Sequence, residues 1–141
     1  MKQKIIHLPK SYKPSDKEEY MNSMQLEYFR RKLIGWKNDL IKESEETIDH
    51  LQYKNCNESD ISDRASVEEN INFELKTRDR YRKLINKINA ALTRIKEGNY
   101  GFCIKNFEPI GLKRLEARPV ATLSIRAQEE HERIEKIYSD S

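Results

Sequence analysis

Glycine, proline and cysteine are scarce in this 141-residue chain, at four, four and two residues. Two cysteines, Cys56 and Cys103, make no disulfide framework. So few glycines and prolines leave little to punctuate a fold of many short strands and turns, so long uninterrupted elements are expected. Apolar residues are also short, at 36% against a globular norm of about 45–50%. That supply cannot fill a large spherical core and suits an elongated helical protein with a thin apolar seam. No run approaches the roughly 20 apolar residues needed to span a bilayer. The opening Met1-Lys2-Gln3-Lys4-Ile5-Ile6-His7 lacks the apolar stretch of a secretory signal, so a cytoplasmic location is expected. Nucleotide-binding glycine loops and H-E-x-x-H are missing, and His7, His50 and His131 are too scattered to suggest a triad.

Charge is abundant, at 36% of residues, and unevenly spread. Residues 40–75 hold ten acidic and three basic side chains, whereas residues 76–141 hold nine acidic and fifteen basic. The middle of the chain is therefore acidic and its flanks basic. A solvated surface accounts for most such runs; a negative end on a positive base is the functional alternative.

Residues 1–22 carry Pro9 and Pro14, lack periodicity and read as an N-terminal arm packing on a base. Leu26, Phe29, Leu33, Trp36 and Leu40 then recur at spacings of 3, 4, 3 and 4, the rhythm of a coiled-coil seam. This helix is expected to reach about Lys54, with Gly35 tolerated inside it. Asn55-Cys56-Asn57-Glu58-Ser59-Asp60 is a breaker cluster. Ser62, Asp63 and Ser66 follow as candidate N-caps, and Ser66-Val67-Glu68-Glu69 matches a capping box. The second helix carries Val67, Ile71 and Leu75, then Leu84, Ile85, Ile88, Leu92 and Ile95, around a polar stretch from Lys76 to Lys83. A seam through Ile71 and Leu75 would turn Arg78 or Arg82 toward the partner helix, where Glu43 or Glu46 could meet them. The fold class expected is mainly α: a long antiparallel coiled-coil hairpin over 23–97, bending near 56–66. Residues 98–141 supply the rest of a small base, with apolar residues from Phe102 to Ile125 and a C-terminal helix from about Leu123 to Tyr138.

Five strings resemble the DksA/TraR family of bacterial transcription regulators, in its order and spacing. They are Glu19-Tyr20-Met21-Asn22, Phe29-Arg30-Arg31, Asp60-Ile61-Ser62-Asp63-Arg64-Ala65, Glu74-Leu75-Lys76-Thr77-Arg78-Asp79-Arg80 and Arg114-Leu115-Glu116-Ala117-Arg118-Pro119. The resemblance implies a non-enzymatic factor that enters the secondary channel of RNA polymerase without reading DNA sequence. Together with ppGpp it would alter open-complex stability in the stringent response. By position, Asp60, Asp63 and Ala65 match the family's D-x-x-D-x-A tip motif. Arg80, Leu84, Lys87 and Arg118 match its ppGpp-contacting positions, while a further basic position is Gln128 here.

The resemblance also implies two C-x-x-C pairs holding a structural zinc. Here they read Cys103-Ile104-Lys105-Asn106 and Ser124-Ile125-Arg126-Ala127, so one thiolate of four remains and no structural zinc is expected. The degenerate zinc-finger-like turn should instead be held by apolar residues around Phe102, Phe107, Leu123 and Ile125. Two other functions stay open at this point. Paired tip acids could hold a second Mg²⁺ for Gre-like stimulation of transcript cleavage, or the seam could serve a plain coiled-coil interaction module.

Overall fold

A computed structural model describes residues 6–58 and 64–139. It is mainly helical, with α1 (Ser23–Glu58), α2 (Arg64–Glu97), α3 (Leu112–Ala117) and α4 (Ile125–Ser139). Among the described residues there is no strand, only an isolated bridge between Phe102 and Pro109. No helix among them is long and apolar enough to cross a membrane. The chain divides into unit 1 (residues 1–33 and 90–141) and unit 2 (residues 34–89), so α1 and α2 each contribute to both.

Unit 1 is built on aromatic and apolar packing. Phe29, Leu33, Tyr100 and Leu115 are fully buried. Tyr28 meets Phe29 edge-on at 5.2 Å, and Phe29 meets Tyr100 at 5.7 Å. The buried Tyr100 hydroxyl donates to the Pro119 carbonyl at 2.7 Å, as a buried phenol must. α1 starts on a reciprocal cap. The Asn22 side chain accepts from the Gln25 N–H at 2.9 Å, and the buried Gln25 side chain accepts from the Met21 N–H at 2.8 Å. Gln25 also donates to the Ser15 carbonyl, which fixes the arm to the helix start. Closer to α1, the Tyr20 hydroxyl donates to the Gly101 carbonyl at 2.6 Å and accepts from the Gly111 N–H at 2.9 Å.

Unit 2 is an antiparallel pair formed by the remainder of α1 and α2. Its α2 seam runs through Asn70, Glu74, Thr77, Tyr81, Leu84 and Ile88, at spacings of 4, 3, 4, 3 and 4. This is one residue away from the seam expected through Ile71 and Leu75, which are 48% and 56% exposed. Burying Tyr81 and Ile88 fixes the rotation of the helix, and Arg78 and Arg82 then stay in solvent. Glu43 therefore meets the Tyr81 hydroxyl, at 3.1 Å, and not an arginine. Thr47 lies 3.4 Å from the same hydroxyl. α1 runs to Glu58, past the expected end at Lys54. Ser66 falls inside α2, which begins at Arg64, so the Ser66–Glu69 box does not start that helix.

Candidate functional site

α1 ends at Glu58 and α2 begins at Arg64, so the D-x-x-D-x-A motif falls on the junction between the two long helices. Asp60 and Asp63, like the candidate cap Ser62, lie outside the described residues. Ala65 stands in the first turn of α2 and is exposed. Its neighbour Arg64 lies 3.9 Å from Glu68, a solvent-exposed pair of little energetic weight.

Arg80, Leu84 and Lys87 follow each other at spacings of 4 and 3 on α2, which places them on one stripe. Arg80 and Lys87 are exposed, with Leu84 half-buried between them. The Arg80 guanidinium sits over the Tyr81 ring, 5.5 Å from its centroid, and this limits its rotamers while its donors face water. Arg118 belongs to unit 1, where it closes α3 by donating its backbone N–H to the Arg114 carbonyl at 2.8 Å. Its side chain is exposed. Gln128, at the position where the family pattern has a cation, donates to Glu132 at 2.9 Å.

The region matching the metal site is organised by hydrogen bonds. Ser124 caps α4: its hydroxyl accepts from the Ala127 N–H at 3.2 Å, three residues on. The Asn106 amide donates to the same hydroxyl at 3.4 Å. Cys103, Ser124 and Ala127 are all buried. Desolvation pushes the Cys103 thiol up. Backbone N–H groups of Asn106, Ser124 and Lys105, with the Ser124 hydroxyl, outweigh it and leave the thiol below its ordinary value. One thiol, one amide, one hydroxyl and a methyl group do not make a zinc donor set. His131, one turn beyond Ala127, faces Glu135 at 3.0 Å. Among the described residues no three His, Cys, Asp or Glu side chains gather as a metal site would need.

The apolar residues expected to hold this turn do not all do so. Phe107 is 77% exposed, with a left-handed backbone at φ 61°. Ile104 and Ile125 are exposed as well. The loop closes through the backbone instead: Cys103 N–H to Glu108 O at 2.8 Å, Phe107 N–H to Cys103 O at 3.0 Å, and Ile104 N–H to Thr122 O at 2.9 Å.

Two family models match this architecture element by element. The N-terminal domain of DnaK suppressor protein DksA matches residues 25–95, which span nearly all of α1 and α2. The prokaryotic DksA/TraR C4-type zinc finger matches residues 98–133. The chain belongs to the DksA family. The RNA polymerase-binding transcription factor DksA of Caulobacter vibrioides is 54% identical over 129 residues, covering 92% of this chain and 91% of that protein. Its namesake in Escherichia coli K12 is 45% identical over 114 residues, covering 81% and 76%. The solved structure of transcription factor DksA2 from Pseudomonas aeruginosa superposes with a TM-score of 0.68 at 37% identity, covering 83% of this chain and 90% of that one. Against the family's C4 finger, this member matches over residues 98–133 and carries one of four thiols.

Sequence reading missed three contributors. Asn22-x-x-Gln25 is a capping pattern that was visible beside Phe29-Arg30-Arg31. Tyr100 sits in the turn-like string Gly98-Asn99-Tyr100-Gly101 and yet is a core residue; its burial depends on Phe29, distant in sequence. Ser124 as a cap could have been found from its place directly before the apolar-periodic run of α4.

Proposed function

We propose that this chain is a non-enzymatic transcription regulator that binds RNA polymerase through the secondary channel. There it alters the stability of open complexes, in concert with ppGpp in the stringent response. The observation that carries the reading is the D-x-x-D-x-A motif, intact at the α1–α2 junction of a chain 54% identical to a named RNA polymerase-binding factor. In this reading Asp60 and Asp63 are the working carboxylates near the polymerase active site. Ala65 is kept small so that the end of the hairpin can approach closely. Arg80, Leu84, Lys87 and Arg118 hold ppGpp, Arg80 as a forked donor to phosphate and Lys87 as a point charge. Gln128 contributes no charge to that site. Zinc has no place in the scheme, because the residues at the four finger positions do not fit the metal.

An Asp63→Asn variant tests this. It is expected to bind polymerase as tightly as the parent chain and to lose the effect on open-complex half-life at a ribosomal promoter. Full activity in that variant would refute the role of the carboxylates. Shortening of stalled transcripts on adding the parent chain would instead favour cleavage-factor action.

A further inference from the structure

The cations of α2 in unit 2 fall into two groups. Arg82 and Lys83 are committed to Asp79, at 2.7 and 2.9 Å. Arg80 and Lys87 make no ion pair and no side-chain hydrogen bond among the described residues. Arg80 is nevertheless held, because its guanidinium lies over the Tyr81 ring, 5.5 Å from the centroid. Tyr81 is itself fixed. It is buried in the seam, its hydroxyl donates to Glu43 at 3.1 Å, and Thr47 stands 3.4 Å from the same oxygen. A seam position needs only an apolar side chain. A phenol buried there must be given partners, and Glu43 and Thr47, which continue the seam of α1 from Leu40, supply them. Leucine would close this seam more simply, but it has no ring face to offer Arg80.

The consequence for an anion is one of preparation. A guanidinium resting on a ring keeps its N–H edge free to fork onto two oxygens of one phosphate. An unsupported arginine loses much of its rotamer freedom when it grips an anion, and one already held loses less. Lys87 has no ring contact among the described residues, so it lacks this support. The two uncommitted cations of the stripe therefore differ: one is set in advance, the other is a mobile point charge.

We propose that Tyr81 is a positioning residue of the ppGpp site: held by Glu43 and Thr47, its ring sets the Arg80 guanidinium for phosphate before the ligand arrives. The inference rests on the ppGpp reading above and deepens it by naming the residue that prepares the forked donor. The test titrates ppGpp against open-complex half-life, with the full chain and polymerase holoenzyme, and reads the half-maximal concentration. Arg80→Ala should raise that concentration about tenfold. Tyr81→Leu should raise it about fivefold. Tyr81→Phe, which keeps the ring but frees it from Glu43, should raise it about twofold. In an Arg80→Ala background Tyr81→Leu should add nothing further, whereas in a Lys87→Ala background its effect should persist. A role confined to joining the two helices would act equally in both backgrounds. A parent-like response in Tyr81→Leu would overturn the inference, as would an effect undiminished without Arg80 or a phenylalanine variant as impaired as the leucine one. A parent chain indifferent to ppGpp, or an Arg80→Ala variant that responds like the parent, would instead defeat the ppGpp reading and the inference with it.

Discussion

Two glycines make opposite demands. Gly35 lies inside α1, and a Cβ there would meet nothing within 4 Å. Gly35→Ala should therefore raise stability by about 0.5–1 kcal/mol, read as a higher melting temperature with unchanged helicity. Gly101 has φ +90°, and a Cβ would come within 2.7 Å of the Met21 Cγ and Sδ atoms, beneath the Tyr20 hydroxyl. Gly101→Ala should cost about 1–3 kcal/mol by the same measurement, and should loosen the arm against proteolysis. Glu27 supplies a pH dependence. Hydrogen bonds from Arg30 and Arg31, at 2.7 and 2.8 Å, hold its carboxyl below the usual 4.5 against the opposing effect of burial. A carboxyl depressed in the folded state adds stability above its unfolded value and loses it as pH falls through the folded one. Thermal melts should thus show Glu27→Gln less stable than the parent at neutral pH. The gap should close as pH falls below the usual carboxylate range and through the depressed folded-state value.

At the scale of the helix, the outer seam of unit 2 is polar where the inner seam is apolar. Glu74 is the sharpest case: its Oε1 is buried with no hydrogen-bond partner, and Arg78 is 4.0 Å away. Glu74→Leu should raise the midpoint of urea unfolding, by an amount equivalent to about 1 kcal/mol or more. This polar seam also shows where the sequence was legible and where it was not. The existence and approximate span of α1 and α2 followed from period, although α1 runs on through residues 55–58 of the breaker cluster, and the α1 seam from Leu26 to Leu40 was readable because each of its positions is apolar. The rotation of α2 was not. Ile71 and Leu75 outscore Asn70 and Glu74 on any apolar count, yet the helix is oriented by Tyr81, Ile88 and Ala91 further along, and its outer half follows. At the site, the motif strings identified the junction and the Arg80–Lys87 stripe. The burial of Tyr100 depends on Phe29, distant in sequence, which no period reveals, whereas the Ser124 cap was readable from its place before α4.

At the scale of the whole molecule, the base is held without the donor set its family uses. Elemental analysis of purified protein should find no stoichiometric zinc, and incubation with a strong chelator should leave the melting temperature unchanged. A C4 relative treated in parallel should lose stability, since metal binding and folding are coupled in such sites. The base relies instead on the Phe29–Tyr100 packing, the Tyr20 bridge and the Ser124 cap, none of which involves a metal ligand set.

The dual position of Ser124 has an evolutionary consequence. It stands where the family pattern has a thiolate, and it also starts α4 by capping it. Restoring cysteine there forfeits a cap worth about 1 kcal/mol before any metal affinity is gained, because three cysteines are missing and zinc binds tightly only when the set is whole. A single Ser124→Cys change should therefore lower the melting temperature without conferring zinc binding.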